Sequence, residues 1–365
     1  MRIVIKIGTS TITHPTGRLN IRQMEALCKV LSDLKNAGHQ IILVSSGAIG
    51  MGVGKLGLPG RPADMPSKQA AAAVGQCELM YTYDKLFTEY SHTVAQLLLT
   101  GEDIKNEQRS RNVRNTLTRL LELGALPVIN ENDAVATDEI GVENTIGEND
   151  TLSAIVAAAI GADVLVLLSD IDGLYDKDPR HYPDARLIPT VERVDDDLYT
   201  LAEDSSTGLG TGGMVTKMEA ARVAAVSGIP AVLTCASNAG PAMMGDPVGT
   251  AFAPINDRGS SRRLWIGFAS HPQGTLVADS GAAKAVRGGA ASLLAAGVVE
   301  VKGDFAAGDA VWVDDEQGNH LAKGLVGFDS EEIPQMLGRN TAQLKRFLGE
   351  EYAHPLVHRD NLVLV

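Results

Sequence analysis

Short runs of β-branched and aliphatic residues recur along the first two-thirds of the chain. Each is followed by a polar or glycine-rich turn and then by a stretch whose apolar residues return every three to four positions. The runs are strands and the stretches crossover helices, so the pattern predicts an α/β fold: a parallel-rich sheet sandwiched by helices. Strands are expected at Arg2–Ile7, 40–44, 92–98, 126–129, Val164–Ser169 and Ala231–Cys235. Between the first two, Ile21, Met24, Leu27, Leu31 and Leu34 share one helical face, and Gly38 supplies a stop.

Around residues 256–263 the alternation gives way to a polar linker with glycine and arginine, and short strands broken by Gly-Asp and Asp-Asp turns follow. The division expected is one α/β domain over residues 1–255 and a second, smaller, mostly β domain over 264–365. With 365 residues and 44% hydrophobic content the chain can fill two cores.

Charge and cysteine usage narrow the function. A formal net charge of −13 disfavours a surface built for nucleic acid or anionic lipid. Cys28, Cys77 and Cys235 are odd in number and have no CxxC spacing, which fits a reducing cytoplasm better than a disulfide or zinc framework. The first ten residues are too short and too interrupted for a secretory leader. Residues 152–168 are apolar, but Gly161 and Asp163 make them a helix followed by a buried strand rather than a membrane span.

Chemistry gathers at the strand ends, where open α/β sheets bind ligands. Lys6, late in a buried strand, must face water or an anion, and Gly8, Thr9 and Ser10 follow it. Residues 44–50 form a turn of small residues that is either structural or a close ligand approach; neither a P-loop nor a G-x-S-x-G elbow fits there. Asn130-Glu131-Asn132-Asp133 and Gly147-Glu148-Asn149-Asp150 combine amides and carboxylates, as recognition of an amino acid requires, and lack the order of a calcium loop. Asp150 is also placed to cap the helix expected over 151–160. Ser169-Asp170-Ile171-Asp172-Gly173 is a turn or a nucleotide contact. In Gly208-Leu209-Gly210-Thr211-Gly212-Gly213-Met214-Val215-Thr216-Lys217 a glycine-rich loop runs into a helix expected over 214–227. Lys217, in the first turn, opposes the helix dipole unless an anion sits there.

In their order along the chain, these motifs resemble those of the amino acid kinase family. From Gly274-Thr275-Leu276-Val277-Ala278-Asp279-Ser280-Gly281 onward the sequence is similar to the PUA domain appended to many of its members. Residues 130–136 and the PUA-like tail point to the branch that phosphorylates glutamate. The resemblance implies ATP as co-substrate with Mg2+, and transfer to the side-chain carboxylate of L-glutamate, giving γ-glutamyl phosphate for proline biosynthesis. It implies that Lys6 and Lys217 stabilise the transferring phosphoryl group, that Asp150 orients both, and that Ser46, Asp133 and Asn149 hold glutamate. Lys6, Ser169, Asp170, Thr211, Gly212, Gly213, Met214, Val215, Thr216 and Lys217 would contact ATP. Proline as feedback inhibitor and a homo-oligomer, dimer or tetramer, are further implications. Glu148 departs from the family, which usually has Asp there.

Two alternatives stand beside this expectation. One is a relative acting on aspartate, acetylglutamate, carbamate or a nucleoside monophosphate. The other is RNA binding by the PUA-like domain, against which stand eight Lys+Arg and thirteen Asp+Glu in residues 264–365.

Overall fold

The computed structural model describes residues 1–14, 18–135, 149–194, 198, 213–255, 272–288 and 291–364. Contacts divide the chain into two units, Met1–Arg258 and Gly259–Val365.

The first unit is built on an eight-stranded sheet. Its strands are β1 (Arg2–Ile7), β2 (Gln40–Ser45), β3 (Val94–Leu99), β4 (Leu126–Glu131), β5 (Val164–Ser169), β8 (Thr190–Val191), β9 (Ala231–Cys235) and β10 (Thr250–Phe252). The short strands β6 (Leu174–Tyr175) and β7 (Leu187–Ile188) form a separate hairpin. The sheet order is β3-β4-β2-β1-β5-β9-β10-β8, and every pairing is parallel except β9 with β10. Central β1 is buried from Ile3 through Ile7, on both of its alternating faces, as a sheet covered by helices on both sides requires.

Helix Ile21–Asn36 begins where the Asn20 side chain accepts a hydrogen bond from the Gln23 N–H. It buries Met24, Leu27, Leu31 and Leu34. Ile21, expected on that face, is 59% exposed, because it is the first helical residue and lies beyond the edge of the core. The 24-residue helix Met65–Thr88 was not among the expected elements. Its C-terminal half buries Leu79, Tyr83 and Phe87 along one face, whereas its N-terminal half, rich in alanine and glycine, meets its neighbour by backbone approach. A Cβ on Gly75 would lie 1.8 Å from the Ala48 carbonyl oxygen, and one on Gly52 1.8 Å from that of Ala71. Helices Ala48–Leu56 and Met65–Thr88 therefore cross almost in backbone contact.

Three strands differ from expectation at their ends. β3 begins two residues later, at Val94, and runs to Leu99; β2 gains Ser45. β4 runs through Asn130 and Glu131, which pair with Leu98 and Leu99. These two residues are thus fixed in the ladder rather than in the loop where the sequence placed them.

In the second unit, strands β11 (Pro272–Ala278), β12 (Val298–Gly303), β13 (Ala310–Asp314), β14 (His320–Val326) and β15 (Val357–Leu364) form one sheet in the order β12-β11-β13-β14-β15. Only β11 and β13 pair in parallel. Its own core includes Leu276, Val311, Val313, Met336 and Leu356.

Candidate active site

Because β1, β2, β4 and β5 run in parallel, their carboxyl ends share one edge of the sheet. Lys6 stands in β1 opposite Val44 of β2 and Leu167 of β5. It is only 4% exposed, and its Nζ lies 2.6 Å from Asp150 Oδ1. The solvated lysine that the sequence left open is thereby excluded. Asp150, 1% exposed, is brought in by helix Asn149–Ile160. Its Oδ2 accepts a 2.8 Å hydrogen bond from Thr216 Oγ1 and lies 3.5 Å from Lys217 Nζ.

Asp150 is not the helix cap expected from the sequence. The helix already starts at Asn149, and the carboxylate is turned to the lysines instead of to its own backbone. Burial pushes the Asp150 carboxyl up, and that is the largest single influence. The nearby ammonium groups of Lys6 and Lys217, with hydrogen bonds from Lys6 and Thr216, together outweigh it and hold the group below the usual carboxylate range. One buried negative charge thus faces two positive ones, leaving a local excess that suits an anion.

Thr216 and Lys217 lie in the first turn of helix Met214–Val226, whose N-cap is Gly213. Among the described residues no side chain caps that end, and the Gly213 carbonyl accepts from Lys217 Nζ at 3.4 Å. Met214, Val215 and Thr216 therefore bring a helix N-terminus, with its backbone N–H groups and positive dipole end, close to the Lys6–Asp150 pair. Thr211 and Gly212, with residues 208–210 of the glycine-rich loop, lie outside the described residues, as does Glu148.

On the β5 side, Ser169 Oγ donates to Asp170 Oδ1 at 3.1 Å, and the half-exposed Asp170 carboxylate lies 3.5 Å from Arg180. Mg2+ takes oxygen ligands and is bound through substrate phosphates and one or two carboxylates. Asp170 fits that donor set, and among the described residues no cluster of three His, Cys, Asp or Glu side chains forms a protein-only cage.

A cavity of about 200 Å³ opens between the end of β4 and helix Met65–Thr88. Its lining includes Gln76, Gln96, Glu131, Asn132 and Asp133, with Ala48 at the start of the helix that follows the turn after β2. That turn is fixed at both ends. The Ser46 N–H donates to the Ile7 carbonyl at 3.1 Å, and Gly47 adopts φ +108, where a Cβ would press on Ile12. Asn149 Oδ1 accepts from the Glu131 N–H at 3.3 Å, joining the helix that carries Asp150 to the cavity wall. The structure thus gathers Lys6, Asp150, Thr216 and Lys217 into one cluster and places Asp133 in a cavity where Gln76, Gln96 and Asn132 stand among small apolar residues. Gln76 and Gln96 were not found from sequence, because a glutamine on a helix or mid-strand carries no motif.

A parallel α/β sheet that collects two lysines, their shared carboxylate and a glycine-led helix N-terminus at one edge is the framework of a phosphoryl-transfer enzyme. The chain belongs to the amino acid kinase family: the model of that family matches residues 1–235, and that of the PUA domain matches residues 274–348. Its relatives include a protein of Bifidobacterium adolescentis named glutamate 5-kinase, 67% identical over 364 residues that span 100% of this chain and 95% of that one. Another of the same name, from Caldanaerobacter subterraneus subsp. tengcongensis, is 46% identical over 368 residues, covering 100% and 98%. In fold the chain is similar to a carbamate kinase from Giardia lamblia bound to AMP-PNP, at TM-score 0.50 and 15% identity, covering 69% of this chain and 98% of that one.

Proposed function

We propose that the chain transfers the γ-phosphoryl group of ATP to the side-chain carboxylate of L-glutamate. The observation that carries this reading is the meeting of Lys6 and Lys217 on buried Asp150, in a chain 67% identical to a protein named glutamate 5-kinase.

A carboxylate is already a nucleophile at neutral pH, so the reaction needs no general base. What it needs is in-line placement of two anions and neutralisation of charge on the transferring group. Lys6 and Lys217 would contact that group, and Asp150, between them, would keep both ammonium groups aimed at it. Gly213, Met214, Val215 and Thr216 would direct the helix N-terminus toward the phosphates, with Thr211 and Gly212 preceding them in the same loop. Ser169 and Asp170 would meet the nucleotide from β5. Mg2+, held by Asp170 and the phosphates, would supply further neutralisation of phosphate charge. Ser46, Asp133 and Asn149 would hold glutamate in and beside the cavity at the end of β4.

Proline formation is the pathway this product would feed. Proline would inhibit by occupying the same cavity, which takes a compact amino acid, and the enzyme would work in the cytoplasm as a homo-oligomer. Support for the location comes from three cysteines that are all free and from the absence, among the described residues, of a helix long and apolar enough to cross a membrane.

The test is ATP turnover by purified enzyme with hydroxylamine present to trap an acyl phosphate. Glutamate should yield γ-glutamyl hydroxamate, and aspartate, one methylene shorter, should be about 10- to 200-fold poorer. Equal turnover of both acids, or ADP release without hydroxamate, would end this reading.

A further inference from the structure

Gln76 sits beside the near-contact of two helices, one residue after Gly75, and its side chain lines the cavity. The orientation of its amide is fixed from the backbone outward. The Glu131 N–H, shared with Asn149 Oδ1 at 3.3 Å, makes its shorter bond to Asn130 Oδ1 at 2.9 Å, so Asn130 presents its Nδ2 to the next partner. That Nδ2 donates to Gln76 Oε1 at 2.8 Å. A flipped Gln76 would set two donors against each other, so Nε2 is held on the other side. Among the described residues this Nε2 is buried and has no hydrogen-bond partner. A buried N–H without an acceptor is costly, whereas one that receives a charged acceptor on binding becomes a source of affinity.

We propose that Gln76 is a specificity-determining residue whose Nε2 amide donates a hydrogen bond to a carboxylate oxygen of the acid substrate, at the end remote from the transferred phosphoryl group. The proposal rests on the function proposed above. The remote end is assigned because Lys6, Asp150 and Lys217 are not in the cavity lining. A contact there is the same in ground and transition states, so it governs KM rather than kcat.

Gln76→Glu keeps the oxygen that Asn130 needs and nearly the same shape, but exchanges the donor for an anion facing the substrate. Steady-state kinetics of this full-length variant should show a glutamate KM raised at least about tenfold, as loss of a hydrogen bond to a charged group implies. Its kcat, its KM for ATP and its melting temperature should stay near those of the unmodified enzyme. Because protonation restores a donor, the raised KM should fall as pH is lowered from 8 toward 6, a response that a purely structural role would not give. Gln76→Met is the second variant: added glutamate should raise the melting temperature of the unmodified enzyme and do so far less for this one. A glutamate KM within threefold of the unmodified value, or equal stabilisation of the Met variant by glutamate, overturns the role of Gln76. An unmodified enzyme that makes no glutamyl hydroxamate overturns the proposed function itself, and this inference with it.

Discussion

Lys6 Nζ and Asp150 Oδ1 lie 2.6 Å apart in a pocket where neither residue is more than 4% exposed, although one belongs to the first strand and the other to a helix beginning at Asn149. A pair so buried has little net effect on stability while intact, and a large one when a single partner is removed.

Replacing Lys6 by Met should therefore do two separable things. Turnover should fall about a hundredfold through loss of a preorganised charge at the phosphoryl group. Stability should also fall, by less than the roughly 3–5 kcal/mol of a fully broken buried pair, because Asp150 loses its 2.6 Å partner but keeps Lys217 at 3.5 Å and the Thr216 hydroxyl. Adding Asp150→Asn should recover most of the melting temperature and none of the turnover. Lys217→Met, which breaks a longer 3.5 Å contact, should cost less stability but comparable kcat, and the two lysine variants should be non-additive in rate. A folded single variant with near-normal kcat would remove that lysine from the mechanism.

The depressed carboxyl of Asp150 sets a pH window. A group whose folded-state value lies below its unfolded value contributes stability that is complete above the ordinary range near pH 4 and is lost as pH falls through the folded value. Chemical denaturation of the unmodified enzyme and of Asp150→Asn should give a stability difference that is flat from pH 8 to about 5 and shifts only in stronger acid. A difference already changing between pH 7 and 6 would contradict the assignment.

Gly75→Ala should be severe, because the added Cβ would fall 1.8 Å from a backbone carbonyl. Separating the helices should cost about 1–3 kcal/mol or more and deform the cavity, so glutamate KM should rise together with the loss of melting temperature. Gly60→Ala, with nothing within 4 Å of the new Cβ, is the control and should melt normally.

Every residue assigned a role lies before residue 256. A chain of residues 1–255 should fold and phosphorylate glutamate, with any change confined to assembly or to proline inhibition. Circular dichroism with the hydroxamate assay decides it: a folded but inactive product would mean that the second unit contributes to the active centre.

The strands were legible because β-branched runs such as Ile3–Ile7 and Val164–Ser169 have few alternatives, and three of the six expected bounds coincide with the observed ones. Helix Met65–Thr88 was not singled out: the alanines and glycine that allow its close crossing carry no periodic signal, and the buried Leu79, Tyr83 and Phe87 share its C-terminal half with the exposed apolar Tyr81. The Lys6–Asp150–Lys217 cluster was expected only through resemblance to a family; spacing alone left a solvated lysine and a helix cap open. Gln76 was beyond reach from sequence, since its significance lies in a hydrogen-bond chain from Glu131 through Asn130 that only the folded backbone defines.

The central position of β1 bears on how the enzyme is made. As the chain leaves the ribosome, β1 can pair with β2 once residue 45 has emerged, but its other edge has no partner until Val164–Ser169 appears. At roughly 5–20 residues per second this central strand keeps one edge unpaired for on the order of ten seconds. A nascent chain stalled in that interval, with the backbone groups along that edge of β1 still unpaired, offers a template for pairing with another chain and so for aggregation until β5 or a chaperone covers it.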